Sequence, residues 1–225
     1  MEVKSENIAI IERLTALVGG LQNIHFITKQ GLESGSDIDI YCVVKNSQES
    51  RVLIEERDGI WSEMFIDSWN DMTEKIVNAD EIVRNFIIDM PLLYTEDDSH
   101  LRARALIPAQ YALPIERRNL LYYRIKVLGS KYLSAVDART QAFFRGQLYP
   151  HLALAIFDRY GLWPRGPKQW LRQLEEMGES ESEALLQVLN DNAVIPRELI
   201  HMFADKFNGL DIKKAAGKNK ITYLG

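Results

Sequence analysis

Apolar residues recur at helical spacing from Ile8 through Ile11 and Leu14 to Val18, and Ile10 and Leu17 widen the stripe. Gly19-Gly20 then stops it, so the chain opens with an amphipathic helix. Two short β-like runs follow, 24–28 and 37–44, separated by a Gly- and Ser-rich stretch that no helix would choose. Side chains alternate along the second run. Asp37, Asp39, Tyr41 and Val43 fall on one face, and Ile38, Ile40, Cys42 and Val44 fall on the other. Residues 51–56 and 60–68 flank Arg57-Asp58-Gly59, whose Asp-Gly step is a hairpin signal, and predict a third and fourth strand. The last of these carries Glu63, Phe65 and Asp67 on a common face. The pattern becomes helical from 70 to 90 and closes with a short strand at 92–94, before Glu96-Asp97-Asp98.

From His100 onward the β signal fades. Leu120, Tyr123, Val127 and Tyr132, with Leu121 and Leu128, keep helical spacing, as do 143–160 and 183–190. Prolines at 108, 114, 164, 167 and 196 punctuate the helices, and Pro150 is expected to kink or split the second long one. The expectation is an α/β (α+β) domain with a short mixed sheet over residues 1–98, followed by a bundle of four or five helices over 99–225.

Composition fits a globular chain: 225 residues, 46% apolar, with 27 Lys and Arg against 32 Asp and Glu. The single Cys42 excludes an intramolecular disulfide and any multi-cysteine zinc site, and a reducing, cytoplasmic setting is the simplest reading. The first residues lack the basic flank and apolar core of a signal peptide, and no run reaches the roughly 18 apolar residues of a membrane span, so no membrane partner is expected. Charge is bipolar. Residues 1–100 carry 8 Lys and Arg against 20 Asp and Glu, a net of −12, and residues 101–225 carry 19 against 12, a net of +7. Such halves can hold a metal-bound polyanion in a cleft between them, and can equally attract each other with nothing between.

The informative stretch is Gly35-Ser36-Asp37-Ile38-Asp39-Ile40. Two acids at i and i+2 of a strand point the same way about 6–7 Å apart, a span over which both can ligate one divalent ion or bridge two. Phosphoryl and nucleotidyl transfer use paired metals roughly 3.5–4 Å apart to stabilise the attacking and leaving oxygens. The Gly-Ser turn ahead of the acids offers backbone N–H groups and a hydroxyl to phosphate oxygens. A third carboxylate is expected on a neighbouring strand, with Glu63 and Asp67 as alternatives. By itself Asp-x-Asp also occurs at calcium loops and as plain strand-end acids. The strand–loop–strand context narrows the field.

These residues resemble the polymerase-beta-like nucleotidyltransferase superfamily, in particular two-domain members of the kanamycin nucleotidyltransferase and streptomycin adenylyltransferase type. The resemblance rests on Gly35 to Ile40, on Ser62-Glu63-Met64-Phe65-Ile66, on Pro91-Leu92-Leu93-Tyr94, and on the stretch Gly161-Leu162-Trp163-Pro164-Arg165-Gly166-Pro167-Lys168-Gln169-Trp170-Leu171. It implies a nucleotidyltransferase-like first domain that uses magnesium, two ions in all, and ATP or another nucleoside triphosphate. The nucleotide, AMP above all, would pass to a hydroxyl of a small polar acceptor, aminoglycoside-like by analogy, with release of pyrophosphate. On that resemblance Asp37 and Asp39 are metal ligands, and Glu63 is a third metal ligand or the base that accepts the hydroxyl proton. Ser36 and Gly35 would meet phosphate, and Lys168 would reach the triphosphate. One departure stands out: where relatives carry a further Gly-Ser at the end of the first strand, this chain has Thr28-Lys29. Thr28 can replace the hydroxyl and Lys29 can add charge, but the close backbone approach that glycine permits is lost. Either the phosphate site is rebuilt, or the chain is a degenerate binding or regulatory module, antitoxin-like, that recognises another protein.

Other conspicuous residues read as structural. Trp163 and Trp170 suit packing, Tyr122 and Tyr123 suit core positions with hydroxyls at the rim, and the four histidines lack metal-ligand spacing. Cys42 is expected as a buried small hydrophobe, and Glu175-Glu176 with Glu179 to Glu183 as a solvated acidic loop or helix start. An acidic first half makes polymeric nucleic acid an unsuitable main partner, while a protein or tRNA hydroxyl remains an alternative acceptor.

Overall fold

A computed structural model of the chain describes residues 5–30, 38–45, 50–57, 60–189 and 194–207. The chain forms two compact units, Met1–Ala109 and Gln110–Gly225.

The first unit opens with α1 (Ser5–Val18). Its stop is made by Gly19 and Gly20, whose φ values of +77° and +134° suit residues without a Cβ. Then come β1 (Ile24–Lys29), β2 (Ile38–Val44), β3 (Arg51–Arg57) and β4 (Ile60–Ser68). Helices α2 (Trp69–Val77) and α3 (Glu81–Ile88), strand β5 (Leu92–Thr95) and α4 (Ser99–Leu106) complete the unit. The five strands lie in the order β3-β4-β2-β1-β5. β2 and β4 run parallel, and the other neighbours are antiparallel, so the sheet is mixed as expected.

Alternation along the central strands produces two cores. Ile38, Ile40, Cys42 and Val44 of β2, with Met64 and Ile66 of β4, pack against Leu14 and Val18 of α1. On the opposite face Phe26, Tyr41 and Val43 meet Met72, Ile76, Val83, Phe86 and Ile87 of α2 and α3, and Ala103 of α4. The face of β2 that starts with acids therefore becomes core from Tyr41 onward.

The single helical stretch expected at 70–90 is two helices. Between them Ala79 takes φ +55°, and the Asp80 side chain caps α3 by accepting from the amides of Ile82 and Val83 at 3.0 Å each. Ser68 caps α2 in a reciprocal box with Asp71. α4 belongs with the first unit. His100 is hydrogen-bonded through Nε2 to the Ile87 carbonyl at 3.0 Å, and Ser99 Oγ donates to the His25 carbonyl at 2.9 Å. The units thus divide eleven residues beyond the 98/99 boundary read from the sequence, at Ala109/Gln110.

Among the described residues the second unit holds five helices: α5 (Ile115–Ser134), α6 (Ala138–Tyr160), α7 (Trp170–Met177), α8 (Ser180–Gln187) and α9 (Arg197–Ala204). α6 continues through Pro150 without a break. The residue whose carbonyl must clear the proline ring is Gly146, the most adaptable backbone available. Asp158, buried near the end of α6, accepts from Arg118 Nε at 2.6 Å, Arg118 Nη2 at 2.9 Å and the Leu113 amide at 2.7 Å, so its charge is paired and its lone pairs are used. Glu181 is buried rather than solvated, accepting from the Tyr160 hydroxyl at 2.8 Å and pairing with Arg159 at 3.2 Å. No helix among the described residues is long and apolar enough to cross a membrane.

Candidate active site

The site begins with strand register. β2 and β4 are parallel and in step, so that Asp39 lies directly beside Glu63, Tyr41 beside Phe65, and Val43 beside Asp67. Neighbouring strands are about 4.8 Å apart, and laterally paired residues of a parallel ladder project to the same side. Two carboxylates from separate strands therefore stand abreast near the starts of β2 and β4. Both are partly exposed, whereas the positions deeper along the same strands are closed by Tyr41 and Phe86, stacked with ring centroids 5.0 Å apart, and by Phe65.

β1 adds Thr28, which pairs with Tyr41 and so shares the carboxylate face. Its hydroxyl is fully buried and has no hydrogen-bond partner among the described residues. The next residue goes the other way. Lys29 pairs with Ile40, on the α1 side of the sheet, and its Nζ donates to Asn7 Oδ1 of α1 at 3.3 Å. Thr28, Asp39 and Glu63 are thus brought to one face, and Lys29 to the opposite one.

Glu63 and Asp67 differ in what each touches. Asp67 is only 2% exposed. The Tyr41 hydroxyl donates to its Oδ2 at 2.9 Å, and Lys75 of α2 bonds both oxygens at 2.7 and 2.8 Å. Both carboxylate oxygens are thus engaged by the protein, and burial together with the adjacent Asp67 carboxylate pushes the Tyr41 phenol well above its usual range. Glu63 makes no such bond to any described residue. The Tyr41–Asp67–Lys75 network was not foreseen from the sequence. The cue available there was a buried-strand acid followed eight residues later by a lysine on the next helix.

Gly35, Ser36 and Asp37 lie outside the described residues. Among the described residues no group of three or more His, Cys, Asp or Glu side chains is placed to hold a metal. The described pair supplies two hard oxygen ligands, the donor type that magnesium takes, and carboxylate count is what a further acid at 37 would raise. Lys168, in the second unit, is exposed on a 3-10 turn formed by Pro167–Gln169. The surrounding Trp-Pro segment is held by Gln173, which accepts from the Arg165 amide at 2.9 Å and donates to the Trp163 carbonyl at 2.7 Å. Trp163 packs on Tyr111 at 5.0 Å and Trp170 meets Phe157 edge-on at 6.0 Å, so both rings are packing anchors.

No protein-family model matches the sequence, and no curated protein matches it. Among solved structures the chain is similar to a nucleotidyltransferase-like protein from Exiguobacterium sibiricum 255-15, at 12% identity and a TM-score of 0.45, over 88% of this chain and 71% of that one.

Proposed function

We propose that the chain is a metal-dependent nucleotidyltransferase that moves a nucleoside monophosphate, AMP in the first instance, from its triphosphate to an acceptor hydroxyl. The observation that carries this reading is the lateral pairing of Asp39 with Glu63 across parallel strands. Two acids abreast on neighbouring strands, kept partly open while the positions deeper along the same face are filled by aromatic side chains, stand close enough to share one ion. They fit a divalent cation. Asp39 and Glu63, with Asp37 as the further ligand, would hold magnesium. When bound, the ion supplies Lewis-acid stabilisation of charge on phosphoryl oxygens. Glu63 is the group positioned to accept the acceptor's hydroxyl proton, because Asp67 on the same strand face is locked to Tyr41 and Lys75. The buried hydroxyl of Thr28 is a donor without a partner on that side of the sheet, as a phosphate contact would require. A small polar molecule such as an aminoglycoside is the acceptor class we propose, and a cytoplasmic setting accompanies it.

The second reading, a binding or regulatory module that has lost catalysis, is favoured by Lys29. This residue, which stands beside Thr28 in place of a Gly-Ser, is committed to Asn7 on the far face. Calorimetric titration of ATP and the other triphosphates, with and without Mg²⁺, separates the two. The enzyme reading expects magnesium-dependent binding that Asp39→Asn and Glu63→Gln each abolish, and pyrophosphate release once a hydroxyl acceptor is supplied. Absence of binding by any triphosphate at millimolar concentration overturns it in favour of the regulatory module.

A further inference from the structure

The second unit carries a groove of about 400 Å³ along the line where α5 and α9 meet. Three contacts fix the helices as antiparallel there. The Ile195 amide donates to the Tyr132 hydroxyl at 2.9 Å, Gly129 lies against Ile200, and the Lys126 ammonium sits 5.6 Å from the Phe207 ring centroid. Each helix contributes a stripe at i, i+4 and i+8: Lys126, Ser130 and Ser134 from α5, and Arg197 and His201 from α9 with its C-cap residue Asp205. Because the helices are antiparallel, Lys126 falls at the Asp205 end, where it sits over the Phe207 ring and Asp205 faces His201 at 3.9 Å. Arg197 falls at the Ser134 end, about 12 Å away by helical rise.

Arg197 makes no hydrogen bond or ion pair with any described residue, and Asp205, the acid among the lining residues, stands at the other end. Opposite it stand the hydroxyls of Ser130 and Ser134, the latter donating to the Lys131 carbonyl at 3.3 Å until a better acceptor arrives, and the wall between is apolar, formed by Leu133 and Ile200. We propose that this groove binds a small organic anion. Its phosphate or carboxylate head lies between Arg197 and the hydroxyls of Ser130 and Ser134, and its apolar body lies on Leu133 and Ile200. A forked guanidinium with flanking hydroxyls is the donor set that such heads take, and the volume is that of ordinary small-ligand sites. The site is independent of the carboxylate pair and of the reaction proposed for it.

The test is a titration of the full ¹⁵N-labelled chain, followed by amide shifts, with phenyl phosphate, benzoate and neutral phenol as probes. Saturable shifts confined to α5 and α9 are expected with at least one of the two anions and not with phenol, and comparing the anions tells a phosphate site from a carboxylate site. Arg197→Gln is expected to weaken that binding about tenfold or more, as for loss of a charged hydrogen bond. Ser130→Trp, which fills the groove on an exposed helix face, is expected to abolish it with unchanged circular dichroism. No saturation by either anion at tenfold molar excess over the protein and millimolar concentration, equal affinity in Arg197→Gln, or binding undiminished in Ser130→Trp each overturns the proposal.

Discussion

Asp67 and Glu63 sit two positions apart on one strand face, yet they have opposite energetic characters. Removing the Asp67 carboxylate leaves the Tyr41 hydroxyl buried without its acceptor and Lys75 without its counter-ion. Asp67→Ala is therefore expected to cost about 3 kcal/mol in urea unfolding. Glu63→Gln, at a partly open strand start, should change stability by less than about 0.5 kcal/mol while removing the magnesium-dependent triphosphate binding proposed above. Alternation alone could not rank these acids, since the groups that claim Asp67 come from 26 residues earlier and 8 later. The face of each acid was legible, and its occupation was not. A second residue-scale effect concerns pH. Burial, helped by the nearby Arg124 charge, pushes His151 down to about 4, against an ordinary imidazole value near 6.5. Between those values the unfolded chain takes up a proton that the folded chain refuses. The contribution is accordingly constant above about pH 6.5 and lost as pH falls toward 4. Urea midpoints at pH 5 and 7 should differ more in the wild type than in His151→Gln.

At the scale of elements, close helix contact is the most exposed to mutation. A Cβ placed on Gly129 of α5 would come within 2.4 Å of Ile200 Cγ2 on α9, at the branch of a stiff side chain. Gly129→Ala should thus destabilise by about 1–3 kcal/mol despite its better helix propensity, measurable by thermal or urea unfolding. That glycine reads in sequence as a flaw inside an amphipathic helix, because only the partner explains it. Period-two and period-3.6 patterns did reveal the elements themselves: the first helix, the paired β3 and β4, and the short β5. The Asp58-Gly59 turn lies outside the described residues. The α2–α3 break was missed because Asn78-Ala79-Asp80 contains no glycine or proline, and the left-handed turn falls on an alanine. Asp80, an N-cap type, was the signal at hand. Pro150 misled in the other direction, since a local rule was overridden within a long helix.

Over the whole molecule, charge and composition anticipated an acidic α+β portion and a basic helical one. The arrangement of strands was not legible. β4 inserts between β2 and β3, and it is this parallel neighbour relation that sets Glu63 beside Asp39. Pairing partners far apart in sequence leave no periodic trace. The place of α4 shows the same limit. His100 and Ala103 read as the start of a helical half, but their buried side chains complete the core of the first unit.

Cys42 gives the molecule a built-in clock. It is the chain's one thiol, fully buried at the centre of the middle strand, and burial pushes its pKa up to about 12. A thiol-directed reagent should therefore label the native protein only as fast as the sheet opens, with no dependence on reagent concentration once opening limits the rate. The second unit has no cysteine, so the same trace times the first unit alone. Opening slowed by magnesium and triphosphate would then be read from a natural residue, without a dye, a tag or a mutation.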